Sequence, residues 1–224
     1  MDILNEKKLA IFDMDGTLLD SAGFWNNIDS ILIEQVTGVK PDGDLIYRMF
    51  LNLSFPEYYE YLRTQHGIGL SDDEIQEKQI HIANEFYRGV DLKPNADVFL
   101  KKLKTNGMIV TLATDCLPDL IDVVKDENQK VITQADFREI FDVIVTNRDV
   151  KEKKPDPAKF NFIINKYSID PADVVIFEDN LAGIQAAAST GATVVHVQDP
   201  CADGDMDNIR ELCTVSIGNY AELL

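Results

Sequence analysis

Two aspartates, Asp13 and Asp15, follow directly after the short apolar segment Leu9–Phe12. Residues two positions apart on a strand point to the same side, so both carboxylates would leave a strand end together. The next residue is Gly16, which lets the backbone turn sharply. Two neighbouring carboxylates need a cation, a shared proton or a division of roles between them. The spacing therefore predicts the start of a catalytic site.

Polar and charged side chains also lie at or soon after the ends of three further apolar segments. They are Thr114 and Asp115 after residues 108–112, Lys154 beyond residues 141–145, and Glu178 and Asp179 after residues 174–177. Each has an ordinary explanation, since an aspartate at such a junction is often a helix cap and a threonine or a Lys-Lys-Pro run is often part of a loop. Because they occur together and each lies near a predicted strand end, we favour one shared site.

The elements that would position these residues are visible as apolar segments. Five segments are predicted as strands, at residues 9–12, 108–112, 141–145, 174–177 and 193–197. The first has no polar alternation, which is typical of a strand covered on both faces in a parallel sheet. Helical patterns separate the later strands, at residues 117–126, 158–167 and 181–189. This alternation predicts an α/β fold with a doubly wound, parallel, Rossmann-like sheet, in which ligands bind beyond the carboxyl ends of the strands.

A helical insertion interrupts this pattern. Residues 23–92 carry only helical patterns, including Ser71 and Glu74 at the spacing of a capping box. The sheet is therefore predicted to be interrupted after its first strand by an inserted all-helical cap domain. We predict two domains: an α/β catalytic core formed by residues 1–22 and 93–224, and a helical cap domain formed by residues 23–92.

The composition excludes several classes of partner. The chain has 224 residues and a formal net charge of −18, which disfavours binding to nucleic acid and to anionic membrane surfaces. Its three cysteines form no Cys-x-x-Cys pair, which indicates reduced, intracellular usage. The sequence has no signal-peptide core and no apolar run near the roughly 18 residues of a membrane span. We expect a soluble cytoplasmic protein that is a monomer or a weak dimer.

The motifs carry a family resemblance. Asp13-Met14-Asp15-Gly16-Thr17, Thr114, Lys154-Pro155 and Glu178-Asp179-Asn180 resemble the four motifs of the haloacid dehalogenase-like hydrolase superfamily. The helical insertion just after the first motif is similar to that of the branch containing β-phosphoglucomutase and many small-metabolite phosphatases. The resemblance implies a Mg²⁺-dependent phosphatase that hydrolyses a small phosphorylated metabolite, such as a sugar phosphate, through an aspartyl-phosphate intermediate.

The resemblance also implies a role for each motif residue. Asp13 would be the nucleophile, and Asp15 the general acid and base. Lys154 and Thr114 would contact the transferring phosphoryl oxygens. Mg²⁺ would offset the repulsion between a carboxylate and a phosphate. Its implied ligands are the Asp13 and Asp179 side chains, the Asp15 backbone carbonyl and, either as a further ligand or as the partner of one, Glu178.

Two positions depart from the family pattern. After Thr114 the family usually has a small polar residue such as Ser or Asn, whereas this chain has Asp115. Asp115 is a candidate substrate contact, but a further negative charge facing a phosphate would be costly, so we expect its carboxylate to face away or to cap the next helix. Trp25 stands where the mutase pattern has a histidine. It is either a substrate contact or an aromatic residue that packs the cap.

Three functions remain open. A phosphatase is favoured because the mutase histidine is replaced and because the region near residues 53–56 has no positive charge for a second phosphate. A β-phosphoglucomutase-type phosphosugar mutase is the alternative. A catalytically silent binding relative is the third, but such a relative would be expected to lose Asp13, Asp15 or Lys154, and all three are present.

Overall fold

The computed structural model describes residues 3–201 and 206–224, and Leu51 by its backbone only. The strands are β1 (Leu9–Phe12), β2 (Ile109–Ala113), β3 (Val143–Val145), β4 (Val174–Glu178), β5 (Thr193–Val197) and β6 (Val215–Ile217). They form one sheet in the order β3-β2-β1-β4-β5-β6, and every neighbouring pair is parallel. The strand order reverses between β1 and β4, which is where such sheets bind ligands. The predicted doubly wound α/β fold is confirmed.

The α-helices are α1 (Ala22–Trp25), α2 (Ile28–Thr37), α3 (Gly43–Asn52), α4 (Phe55–His66), α5 (Asp72–Tyr87), α6 (Ala96–Thr105), α7 (Pro118–Asp126), α8 (Gln129–Ala135), α9 (Phe137–Ile140), α10 (Ala158–Tyr167), α11 (Leu181–Ser189) and α12 (Met206–Leu212). Short 3₁₀ turns lie at Pro171–Asp173 and Tyr220–Leu223. In the described ranges, none of these helices has the length and apolar character needed to cross a membrane.

Backbone contacts divide the chain into two compact units. One comprises Met1–Ser21 and Gly89–Leu224 and contains the sheet, and the other comprises Ala22–Arg88 and contains α1 to α5. We call them the sheet unit and the helical unit. The helical unit begins one residue before the predicted cap and ends four residues before its predicted end at residue 92.

The sheet unit is built around a fully buried central strand. All four residues of β1 have no exposed surface, as expected for a strand with helices on both faces. The rings of Phe12 on β1 and Phe177 on β4 stack with their centroids 4.3 Å apart. Phe99 and Tyr220 pack against the edges of this pair, with centroids between 5.5 and 6.4 Å away. The aromatic cluster fixes the ends of β1 and β4 relative to each other.

The helical unit has its own polar anchor. Its helix α5 begins with the predicted capping box, which is confirmed: the Glu74 N–H donates to Ser71 Oγ at 3.3 Å, and the Ser71 N–H donates to the Glu74 carboxylate at 2.8 Å.

In the interior of the helical unit, the buried carboxylate of Asp29 accepts hydrogen bonds from the Tyr58 hydroxyl at 2.8 Å and from the Gln79 amide. Three helices are thereby tied together by one acidic side chain.

Strand β6 is the main difference from the sequence-based prediction. The sequence pattern predicts β1 to β5 but not β6, because the segment Val215-Ser216-Ile217 is only three residues long and has a polar residue at its centre. Periodicity cannot identify so short an edge strand. Strand β3 is also shorter than the predicted residues 141–145, since it begins at Val143.

Candidate active site

The strand register places the predicted site residues at one edge of the sheet. Phe12 pairs with both Leu112 and Phe177, so the residues that follow β1, β2 and β4 emerge side by side. Backbone hydrogen bonds continue this pairing beyond the strands, because the Asp13 N–H donates to the Phe177 carbonyl at 3.0 Å. The order of the strands, rather than proximity in the sequence, thus brings the motifs together.

Lys154 lies at the centre of this edge. Its ammonium forms ion pairs with Asp13 and with Glu178, the latter at 2.5 Å from Nζ to Oε1, and it donates to the Ala113 carbonyl at 3.2 Å. All three charged side chains are less than a tenth exposed. Burying such charges is costly unless each is paired, so this arrangement holds the lysine in one position.

Asp13, Glu178 and Asp179 form a buried carboxylate cluster. Each offers an oxygen, and these oxygens all lie within 4.8 Å of one another. Three carboxylates face the single ammonium of Lys154, so the cluster carries an excess of negative charge when all are ionised. Within the described residues, Oε1 of Glu178 is buried and has the Lys154 ammonium as its charged partner at 2.5 Å. A compact set of hard oxygen donors with an excess of negative charge fits a divalent cation such as Mg²⁺.

The protonation equilibria of the cluster reflect this excess of negative charge. Burial raises the pKa of Asp13 to about 6, although Lys154 opposes the rise. Burial, reinforced by the charge of Asp13, raises the pKa of Asp179 to about 8. Burial also raises the pKa of Glu178 above its usual range. Burial disfavours the charge of Lys154, but Asp13 and Glu178 outweigh it and hold the lysine pKa above its usual value. A bound cation would lower the pKa values of these carboxylates again.

Two glycines make room for the acidic side chains. Gly16 has a φ of +76°, and a Cβ there would lie 2.7 Å from Cγ of Asp179 and still closer to its Oδ2. A Cβ on Gly183, in the first turn of α11, would overlap the carboxylate of Glu178. Both positions therefore require glycine, the first for its backbone conformation and for space and the second for space alone.

Asp15 has a different environment from Asp13. The Ser21 hydroxyl donates to Asp15 Oδ1 at 2.7 Å, and the Gly16 N–H donates to Ser21 Oγ at 3.3 Å. Asp15 is only half-buried, and its side chain is not part of the carboxylate cluster. The two carboxylates of the first motif thus have different partners. That of Asp13 contacts the Lys154 ammonium, and that of Asp15 contacts the Ser21 hydroxyl.

Thr114 and Asp115 follow β2 and make different contacts. The Thr114 hydroxyl is buried and accepts a hydrogen bond from the Cys116 N–H at 3.0 Å, and such a hydroxyl can still donate its own proton. The two oxygens of Asp115 accept from the Lys154 N–H at 3.0 Å and from the Lys159 ammonium at 2.6 Å. Asp115 is not a helix cap, because the residue that precedes α7 is Leu117.

Asp179 receives support that the sequence pattern did not identify. Thr17 Oγ1 donates to its Oδ1 at 3.1 Å, and the Tyr220 hydroxyl donates to the Thr17 carbonyl at 3.1 Å. His196 on β5 hydrogen-bonds to the backbone carbonyl of Asp179, and its Nδ1 lies 2.9 Å from the Ser216 hydroxyl. Burial lowers the pKa of His196 and so favours its neutral form. Of these supporting residues, only Thr17 belongs to a motif that is recognisable in the sequence.

Trp25 lies in the helical unit, at the end of α1. Its indole N–H donates to the Tyr87 hydroxyl at 2.9 Å, and its ring packs edge-on against Phe24 at a centroid distance of 5.4 Å. These contacts account for the tryptophan as a packing residue within its own unit. A role in substrate binding stays a prediction.

Comparison with known proteins gives a family match and several relatives. Residues 10–197 match the family described as haloacid dehalogenase-like hydrolase. The chain is 25% identical over 206 residues to the probable pseudouridine-5'-phosphatase of Drosophila melanogaster, covering 88% of this chain and 84% of that protein. It is 25% identical over 185 residues to the phosphorylated carbohydrates phosphatase of Thermotoga maritima, covering 81% and 80%.

The fold is similar to that of solved structures. A putative beta-phosphoglucomutase from Thermotoga maritima aligns with a TM-score of 0.78 at 23% identity, covering 96% of each chain. At this identity the similarity concerns the fold alone.

Proposed function

The chain belongs to the haloacid dehalogenase-like hydrolases, and on that basis we propose that it is a Mg²⁺-dependent phosphatase of small phosphorylated metabolites. The observation that carries the proposal is the buried ion pairing of Lys154 with Asp13 and Glu178 beside Asp179, at the switch point of the sheet. Such a site combines a nucleophile, a fixed positive charge and a cation-binding cluster. The two curated relatives described above, which are named as phosphatases, support the same class of reaction.

Asp13, Asp179 and Glu178 would hold the Mg²⁺, and the Asp15 backbone carbonyl is a further proposed ligand. The fit rests on the close grouping of three buried carboxylates and on the raised pKa values of Asp13 and Asp179, which a cation would lower. When bound, the ion would neutralise charge on the phosphoryl group and on the attacking carboxylate.

Asp13 would attack the phosphorus atom and form an aspartyl-phosphate, while the ester oxygen leaves. Lys154 would balance the negative charge of the phosphoryl oxygens, and the Thr114 hydroxyl would donate to one of them. Lys154 is suited to this role because its ammonium is held by two carboxylates and keeps its charge. Phosphoryl transfer depends mostly on such positioning and charge stabilisation.

Asp15 would donate a proton to the leaving alkoxide and then accept one from the water that hydrolyses the aspartyl-phosphate. Its contact with the Ser21 hydroxyl favours this role, because that hydrogen bond orients one carboxylate oxygen. Asp13 and Asp15 would thus divide the chemistry between a nucleophile and a proton carrier.

The primary test uses an aryl phosphate with Mg²⁺ and compares the wild type with Asp13→Asn. We expect the variant to fold and to lose turnover by at least about a thousandfold, since the nucleophile is removed. Asp73→Asn, at an exposed position on α5, is the matched control and should retain full activity. An acid quench of the wild type should trap phosphate on Asp13, detectable by mass spectrometry.

A panel of phosphorylated sugars, polyols and nucleotides would then define the substrate. Product analysis should find free phosphate and the dephosphorylated metabolite. An isomerised sugar phosphate from β-glucose 1-phosphate would instead indicate the mutase. No turnover across the panel, or full turnover by Asp13→Asn, would contradict the proposal.

A further inference from the structure

Lys159 is a buried lysine that contacts the loop carrying Lys154. It lies in the first turn of α10 and is 1% exposed. Its ammonium donates to Asp115 Oδ1 at 2.6 Å and to the Glu152 carbonyl at 2.5 Å. A lysine is rarely buried unless its charge is paired, so these contacts account for its buried position.

Asp115 connects Lys159 to the loop between β3 and α10, which carries Lys154. Its second oxygen, Oδ2, accepts the backbone N–H of Lys154 at 3.0 Å. The Asp115 carbonyl also accepts from the Asn147 amide at 3.2 Å. The segment from Glu152 to Lys154 is therefore held at both ends, by Lys159 at its first carbonyl and by Asp115 at its last N–H. The Asp115 contact ties the loop between β3 and α10 to the end of β2, and the Lys159 contact ties it to α10.

We propose that Asp115 and Lys159 form a positioning pair for Lys154. The pair fixes the loop backbone so that the Lys154 ammonium lies between Asp13 and Glu178. Lys159 also neutralises a carboxylate that lies one residue from Thr114, where an uncompensated negative charge would repel a phosphate. In this account Asp115 acts through the loop and not by contact with the substrate. The significance of Lys154 for phosphate binding rests on the proposed function.

The arrangement makes the two residues interdependent. Loss of Lys159 leaves the Asp115 carboxylate without its cation beside the phosphate site. Loss of the Asp115 charge leaves a buried ammonium without its carboxylate and weakens the hydrogen bond to the Lys154 N–H. Removing both charges restores neutrality, and an asparagine at position 115 can still accept the Lys154 N–H through its amide oxygen. Strong non-additivity is the expected signature of such a pair.

The test compares Lys159→Met, Asp115→Asn and the double variant in turnover of an aryl phosphate and in binding of inorganic phosphate with Mg²⁺. We expect each single variant to lose about tenfold in phosphate affinity and to raise KM more than it lowers kcat. The double variant should recover to within about threefold of the wild type. Lys166→Met removes an exposed lysine from the same helix and should change neither quantity.

Amide hydrogen exchange at Lys154 provides a readout that does not depend on turnover. The single variants should exchange this N–H faster than the wild type, and the double variant should regain most of the protection. The proposal would be overturned if the effects of the two substitutions on phosphate affinity were additive. It would also be overturned if the single variants lowered only the unfolding temperature and kept the wild-type phosphate affinity and the wild-type exchange at Lys154. Absence of phosphatase turnover in the wild type would refute the proposed function alone, because the exchange pattern still tests the pair.

Discussion

The hydroxyl of Thr17 donates to Oδ1 of Asp179 at 3.1 Å and links the loop after β1 to the loop after β4. Both side chains are buried, and the Thr17 carbonyl is held in turn by the hydroxyl of the fully buried Tyr220. The loops that supply Asp13 and Asp179 are therefore fixed relative to each other by these hydrogen bonds. Groups that orient metal ligands in this way are often nearly as important as the ligands.

Thr17→Val tests this support because it removes the hydroxyl and keeps the volume. We expect the Mg²⁺ concentration for half-maximal activity to rise about tenfold, since Asp179 loses the donor that orients it. Thr111→Val is the matched control: Thr111 is also fully buried, but its hydroxyl donates to the Ala10 carbonyl inside the sheet. That variant should lose about 1 kcal/mol of stability and keep its Mg²⁺ dependence. Equal shifts in Mg²⁺ dependence for both variants would contradict the assignment.

Gly183→Ala should abolish most activity, although Gly183 has no side chain that could take part in the reaction. The new methyl group would overlap the Glu178 carboxylate and force it away from Lys154. We expect the loss of most Mg²⁺-dependent turnover together with a lower unfolding temperature. Gly69→Ala is the control, because a Cβ there meets no atom within 4 Å. Wild-type activity in Gly183→Ala would show that Glu178 is not needed in its present position.

The sequence predicted the part of the site that is encoded locally. The two aspartates, the lysine and the acidic pair each follow an apolar strand segment, and five of the six strands have a clear apolar pattern. The family resemblance is confirmed by the match over residues 10–197. These features could be predicted because a strand and the turn after it are specified by adjacent residues.

The supporting contacts could not be predicted in the same way. Tyr220 lies more than 200 residues from Thr17 in the chain, and Lys159 lies more than 40 from Asp115. A lysine within a helical pattern is normally assigned to the solvent face, because burial of its charge depends on a partner that only the fold supplies. Asp115 was expected to face away from the phosphate or to cap the next helix. The structure excludes the cap, because Leu117 precedes α7, and it shows the Asp115 carboxylate in contact with the loop of Lys154.

Proton competition at the carboxylate cluster predicts a pH-dependent Mg²⁺ affinity. The raised pKa values of Asp179, about 8, and of Asp13, about 6, mean that Mg²⁺ must displace protons as the pH falls through this range. The affinity should therefore be highest above about pH 8 and should weaken by up to about tenfold per pH unit for each displaced proton. Calorimetry without substrate, in buffers of different ionisation enthalpy, measures both affinity and proton release. Equal affinities at pH 6 and pH 8 would contradict the expectation.

Asp29 predicts a pH effect on the stability of the helical unit. Burial raises its pKa, and the hydrogen bonds from Gln79 and Tyr58 offset only part of the rise. The folded state therefore binds a proton more tightly than the unfolded state, in which the pKa lies near about 4. The stability that Asp29 contributes should be greatest below about pH 4 and should be lost as the pH rises through the folded pKa.

Urea unfolding of the wild type and of Asp29→Asn between pH 4 and pH 7 measures this contribution. The free energy of unfolding of the wild type, minus that of the variant, should decrease as the pH rises, because only the wild type has to bury a charge. Trp25 is the single tryptophan of the chain and lies in the same unit, so its fluorescence reports the transition. Glu77→Gln, at an exposed position beyond the first turn of α5, is the control and should change the difference little over this range. A difference that stays constant or increases with pH would show that Asp29 is not the buried acid described here.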